Sequence, residues 1–270
     1  MRKFFGLTVV LIIAGAAIWL LGNNKPAGEE NLDNQESQTN QGGQEGVLVS
    51  TSTISQTDSF YNIKADWPQF TKVEAVFNEK ISGFIEEKVD AFKKDAKDSW
   101  DARNATLLPG EELSANPQEP FDFIADWKAR QVNDKYVSFV MTMYYFTGGA
   151  HGINEVSAFN YDVASKKEIT TSGFFNSSEE NLQKLSDLAI REVVSHLENN
   201  AGSVDESMKA WVEEGAGPDW ENFKNFNFDN SSMVIYFQQY QVAAGAFGPI
   251  TITLFKDALE QNSITSNYLQ

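Results

Sequence analysis

The stretch Tyr144-Tyr145-Phe146-Thr147-Gly148-Gly149-Ala150-His151-Gly152 decides how this chain is read. Upstream of it Val137, Phe139, Met141, Met143 and Tyr145 recur at every second position. That is the period of a strand with one buried face. The glycine pair then offers backbone angles that other residues avoid, so the chain reverses there. A further strand is expected from about Glu155 to Val163. His151, one of only two histidines, rides on the turn.

Outward from the turn, strands alternate with helices. Phe121 to Asn133 and Lys135 to Thr147 predict a hairpin. Val73, Val76, Phe77, Ile81, Phe84, Ile85, Val89 and Phe92 fall at three- and four-residue steps and predict an amphipathic helix. Ser50 to Lys64 reads as one extended segment closed by Trp67-Pro68, and Asp101 to Pro120 as a loop. Past the turn, Ser165-Lys166-Lys167 leads into an extended piece, Glu168 to Thr171. Ser177-Ser178-Glu179-Glu180 then has the hydroxyl caps and acids of a helix N-terminus. The helix carries Leu182, Leu185, Ala189, Val193 and Leu197 in line. A shorter helix, Val204 to Glu213, ends before Gly215-Ala216-Gly217-Pro218. Asn225 to Asp229, Met233 to Val242 and Ile250 to Phe255 read as closing strands. The fold class is therefore α+β: two small adjoining strand-helix-strands units with antiparallel sheets. The expected division is 47–152 and 153–270.

The start of the chain carries the location. Arg2 and Lys3 precede Phe4 to Leu21, which holds no charge and no proline. Eighteen helical residues span about 27 Å, close to a bilayer's hydrocarbon core. No clean small-x-small cleavage site follows, so residues 1–22 read as an uncleaved anchor, with a cleaved signal peptide as the competitor. The basic flank precedes the span and acids follow it. This predicts a cytoplasmic N-terminus and an extracytoplasmic body on a single-pass anchor. Residues 23–46 are polar and read as a disordered linker.

The formal charge is −17. The 21 basic side chains less Arg2 and Lys3 leave 19 against 38 acidic ones beyond the apolar run, a balance of −19. That excludes nucleic acid, whose phosphates need basic partners. It is compatible with steering a cationic partner, and equally with keeping an exported domain soluble. There is no cysteine, so stability rests on packing.

Candidate chemistry is sparse. His151 in a glycine turn has the makings of a base or ligand, or of a plain turn residue. A zinc site needs three or four ligands, and His196 is the one other histidine, so no metal and no cofactor is expected. No Gly-x-Ser-x-Gly elbow accompanies His151. Adjacent acids such as Glu86-Glu87, Glu111-Glu112 and Glu213-Glu214 read as solvated faces. Trp100, Trp127, Trp211 and Trp220 are either partly buried core or partner-binding anchors.

Together with Tyr240-Gln241-Val242-Ala243-Ala244-Gly245-Ala246-Phe247-Gly248-Pro249, the opening stretch resembles a known family. It is the extracellular domain of RsiV-type anti-sigma factors, found also ahead of the catalytic domain of PdaC-type peptidoglycan deacetylases. The resemblance covers about Ser50 to Leu259, with 47–152 the PdaC-like part and 153–270 the part similar to the RsiV C-terminal region. It implies binding at the bacterial cell envelope, with a cationic, lysozyme-like protein or a cell-wall glycan as partner. Neither a cytoplasmic sigma-binding segment nor a deacetylase domain is expected from the residues present. The resulting expectation is a membrane-tethered, non-enzymatic binding module. Its binding residues would be Tyr145, Thr147, Gly148, Gly149, His151 and Tyr240. The competing expectation is an envelope enzyme acting on peptidoglycan, with His151 in its site.

Overall fold

A computed structural model of the chain describes residues 46–105, 121–148 and 151–269. The expected anchor (1–22) and nearly all of the expected linker (23–46) lie outside these residues. Among the described residues no helix is long and apolar enough to cross a membrane.

The first unit is a six-stranded sheet in chain order, β1 (Val49–Thr57), β2 (Tyr61–Phe70), β3 (Phe121–Val132), β4 (Tyr136–Phe146), β5 (Ile153–Asp162) and β6 (Lys167–Glu168). One helix, α1 (Ala75–Asn104), packs on it. Its inward stripe is Phe77, Ile81, Ile85, Val89, Phe92 and Ala96, each buried. They stand three or four residues apart and so share one side of the helix. Val76, expected on that stripe, is 66% exposed. It sits one position before Phe77, about 100° around the helix. Phe139 and Phe159, directly paired across β4 and β5, stack at 5.1 Å in the middle of this core.

Two sequence expectations are corrected here. The first sheet is mixed, not antiparallel. The long crossover through α1 returns the chain beside β2 in the same direction, so β2 and β3 are parallel from Tyr61↔Phe121 to Ala65↔Ala125. The expected single segment Ser50 to Lys64 is two strands, folded at Asp58-Ser59, where the Asp58 carboxylate accepts from the Ser59 amide at 2.6 Å. Pro68 is then an interior residue of β2. It lies beyond the last β2–β3 pair, on a stretch where β1 is the one paired neighbour. A strand tolerates a missing N–H in such a place.

The sheet continues past Gly152, because β5 pairs with β4 along its whole length. The second unit follows it. Its helices are α2 (Thr171–Phe174), α3 (Glu179–Ala201), α4 (Glu206–Gly215) and α5 (Lys256–Gln261). Its antiparallel sheet is β7 (Phe226–Phe228), β8 (Ser232–Phe237) and β9 (Ile250–Phe255). Ser178 caps α3 by accepting from the Asn181 amide at 3.2 Å, and Gly202 ends it at φ 80°. Leu185, Ala189, Val193 and Leu197 pack on Phe226, Phe228, Ile235 and Phe237 in a second core. β8 is shorter than expected. The chain leaves the sheet at Gln238 and loops through Tyr240 to a 3-10 turn at Gly245–Phe247.

The two units meet through buried polar side chains. Ser138, Asn160, Asn225, Asn227 and Ser232 are all buried. Asn227 donates to the Phe139 carbonyl at 2.8 Å, and Asn160 to that of Phe226 at 2.7 Å. The Ser138 hydroxyl accepts from the Phe228 amide at 3.1 Å and donates to Asn160 at 2.7 Å. Arg130 of β3 reaches across to Asp229 and to the Ser232 hydroxyl, at 2.6 Å each.

The outer edge of β5 is closed in an unusual way. β6 covers only Tyr161 and Asp162. Further along, glutamine and asparagine side chains replace the missing strand. Gln239 accepts from the Asn154 amide at 2.9 Å, Gln238 from that of Val156 at 3.0 Å, and Asn225 from that of Ala158 at 3.2 Å. Gln238 also donates to the Val156 carbonyl. Backbone groups that burial would leave unpaired are thereby satisfied.

Candidate functional site

At one end of this seam the β4–β5 turn faces the loop that follows β8. Gly148 holds φ 106°, as the reversal requires. His151 is exposed just beyond it. Its Nδ1 lies 3.0 Å from the Gly152 carbonyl. A carbonyl can only accept, so Nδ1 donates this bond, and in the neutral ring Nε2 is then the acceptor. The Tyr240 hydroxyl stands 3.5 Å from that Nε2.

Tyr240 is held from several sides. Its backbone is left-handed, φ 70°. Its carbonyl accepts from the Trp211 indole N–H at 3.0 Å. Its ring lies on Gly245, where a β-carbon would stand 2.2 Å from the nearest ring atom and clash. Gln239 ties the same loop down, donating to the Gly245 carbonyl at 2.9 Å while accepting from Asn154. Tyr144 makes the matching contact across the turn, with its ring over Gly152 in the same close fashion. Trp211 and Tyr240 nonetheless remain 38% and 46% exposed. The outcome is two large aromatics fixed in orientation at the surface, with an imidazole acceptor beside them.

Of the expected binding residues, the structure brings His151 and Tyr240 together and places Gly148 in the turn between strands. Thr147 is half-buried at the end of β4. Gly149 lies outside the described residues. Tyr145 is half-buried beside the turn. It shares the α1 side of β4, where burial, with Glu155 and Asp95 nearby, raises its phenol above the ordinary value. Tyr144, also half-buried, lies over Gly152 at the turn. The alternation Val137, Phe139, Met141, Met143, Tyr145 already assigns Tyr145 to the core face and Tyr144 to the other. Trp211 is one of the four tryptophans that the sequence leaves open as core or anchor, whereas Gln239 carries no local signal, since it acquires its role by contact with a distant loop.

Two shallow depressions lie elsewhere. One is lined by Gln69, Asn78, Glu79, Ser82, Gly83 and Glu86, the other by Asn133, Asp134, Lys135, Tyr136, Asn230 and Tyr268. Neither includes His151. Among the described residues no group of three or more His, Asp and Glu is arranged to hold a metal ion.

The architecture is that of a two-sheet α+β module whose halves are joined by a polar seam. Comparison with known proteins finds two family descriptions matched in succession along it. Residues 54–154 match the family described as deacetylase PdaC, and residues 172–256 match a protein family of unknown function, DUF3298. The chain thus carries a PdaC-like domain followed by a segment matched by DUF3298. A curated relative, the peptidoglycan-N-acetylmuramic acid deacetylase PdaC of Bacillus subtilis (strain 168), is 27% identical over 261 residues. That match takes in 94% of this chain and 50% of the relative, so the chain spans half the relative's length. A crystal structure of a DUF3298 family member from Bacteroides fragilis shares the fold, with TM-score 0.56 at 15% identity over 79% of this chain and 92% of that one. A DUF3298 protein structure from Pseudomonas aeruginosa aligns with TM-score 0.49 at 16% identity, over 83% and 94% of the two chains. These matches bear on the PdaC side of the resemblance and show nothing of its RsiV side. They also overturn the expectation that the chain is not an enzyme, because the curated relative matched along almost all of it is named for a deacetylase activity.

Proposed function

We propose that this protein binds the glycan of the bacterial cell wall, and that the Trp211–Tyr240–His151 surface is where it does so. The observation that carries the reading is the exposed aromatic pair held rigid by the Trp211-to-Tyr240 hydrogen bond. Sugar rings offer C–H faces that pack on aromatic faces and hydroxyls that need polar partners. A tyrosine and a tryptophan supply both properties in one side chain. Because they are already fixed, little conformational entropy is lost when a ligand settles on them. With its proton directed at His151 Nε2, the Tyr240 hydroxyl keeps its oxygen to accept from a sugar hydroxyl. The relative's name adds that its own substrate is peptidoglycan. On this reading the body works outside the membrane, tethered through Phe4 to Leu21.

The test is co-sedimentation of the 46–270 fragment with purified cell-wall sacculi. The wild-type fragment is expected in the pellet, and a Trp211→Ala/Tyr240→Ala variant in the supernatant. Equal sedimentation of the two would remove this surface from the proposal.

A second reading is favoured by the charge of −17. A cationic envelope protein of lysozyme type would be drawn to such a surface, and its association would slow as salt rises. Calorimetry with lysozyme at low and at physiological salt separates this from glycan binding. Heat of binding that survives Trp211→Ala/Tyr240→Ala assigns the protein partner to a different face.

A further inference from the structure

The two edges of the first sheet are treated in opposite ways. At β5 the edge is closed by Gln238, Gln239, Asn225 and β6. At β1 it is open: among the described residues no strand pairs with β1 on the side away from β2. Proteins ordinarily protect an open edge with a charge, a proline, a bulge or a very short strand. β1 has none of these. It reads Val-Ser-Thr-Ser-Thr-Ile-Ser-Gln-Thr over nine residues, and it pairs with β2 one-to-one without a register shift. On a chain of net charge −17 this strip carries no ionisable side chain at all.

We infer that β1 is the docking edge for a second copy of this chain. The occupant follows from charge. Two copies repel each other over most of their acidic surface, and β1 is a place where they can approach without bringing carboxylates together. Antiparallel pairing of β1 with its own copy is self-complementary, as a two-fold interface must be. Main-chain hydrogen bonds supply the association, as in strand addition generally. Serine and threonine side chains facing each other across the seam add hydrogen bonds of their own. The product is one sheet continuous through both copies. β1 and β5 are at opposite edges, so each copy keeps its Trp211–Tyr240 surface free. This inference does not depend on the glycan reading.

The experiment uses the full chain in non-ionic detergent, which keeps the apolar N-terminal run in solution. Sedimentation over a range of concentrations is expected to show a reversible dimer. Thr51→Glu/Ser55→Glu alters two exposed positions of β1 and lines the seam with carboxylates; the dimer is then lost while the melting temperature is kept. The chain has no cysteine, so Thr53→Cys gives a single reactive thiol. A short bismaleimide is expected to link Thr53→Cys copies into pairs, and to leave copies of Lys209→Cys, on α4, unlinked. This contrast decides the matter if the double variant does not fold. A wild-type chain that stays monomeric at every concentration would overturn the inference. So would a dimer that persists in the folded double variant, or equal linking at positions 53 and 209.

Discussion

Tyr240 is where single-residue physics and binding meet. A non-glycine residue at φ 70° is uncommon and costs about 1–2 kcal/mol relative to a right-handed one. Strain of this kind persists where the surroundings hold it, and it collects at functional positions. The expected signature is a trade between stability and binding. Tyr240→Gly relaxes the backbone as it removes the ring, so it should melt higher than Tyr240→Ala, by about 1 kcal/mol. Both should lose glycan binding. Thermal melts of the two variants check the order, and a lower melt for Tyr240→Gly would mean the backbone is not strained. Gly215 is constrained differently, since a β-carbon there would fall on the Gln241 carbonyl. Gly215→Ala has to move backbone and should cost about 1–3 kcal/mol in chemical denaturation. At this scale the sequence was half legible. The Gly148 reversal follows from composition, and the core-facing parity of Tyr145 could be counted off β4. The glycines beneath Tyr144 and Tyr240 could not, because each receives a ring brought by the fold.

Among elements, the edge of β5 is the feature with the clearest consequence. Gln238→Ala would leave the Val156 amide and carbonyl without their partner in a half-buried seam. The cost should be about 1–3 kcal/mol, read as a lowered melting temperature. Gln238→Glu restores the acceptor but not the donor and should fall between the two. The Arg130–Asp229 pair joins β3 to the β7–β8 turn and gives this seam a pH dependence. Burial alone would raise the Asp229 carboxyl. The Ser231 amide and hydroxyl, Arg130 and Ser232 outweigh it and hold the carboxyl below its ordinary value. A depressed acid contributes stability that is present above its unfolded value and lost as pH falls through the folded one. The wild type should therefore lose stability in acid below the ordinary aspartate range, and Asp229→Asn should lack that part of the loss. Denaturant titrations between pH 7 and strongly acidic solution make the comparison. Alternating strands such as β4 and β9, and the capped start of α3, were plain in the sequence because they repeat or follow local rules. The parallel β2–β3 pairing and the glutamine-closed edge were not. Neither has a period, and both depend on which distant segment arrives alongside.

For the whole molecule, two apolar cores are joined through buried serine and asparagine and through Tyr136 of β4, whose ring packs on Phe228 and Tyr268. Asn227 Oδ1 is buried there without a partner, but the remaining polar groups are paired across the seam, so opening it exposes many of them at once. Both units should unfold in one transition, which calorimetry of the 46–270 fragment checks; two resolved transitions would show the seam to be weak. The α+β class and the strand-helix-strands order of the first unit could be read from the pattern of apolar residues, whereas the second unit opens on helices because β5 belongs to the first sheet. The binding surface could be read only in part, because Trp211 belongs to α4 and reaches Tyr240 through the packing of a whole unit. The direct measurement of glycan binding is titration calorimetry of the 46–270 fragment with soluble peptidoglycan glycan oligomers, wild type beside Trp211→Ala/Tyr240→Ala. Saturable heat from the wild type and none from the folded variant is the predicted result. Equal heats from both, or no heat from the wild type, would contradict it.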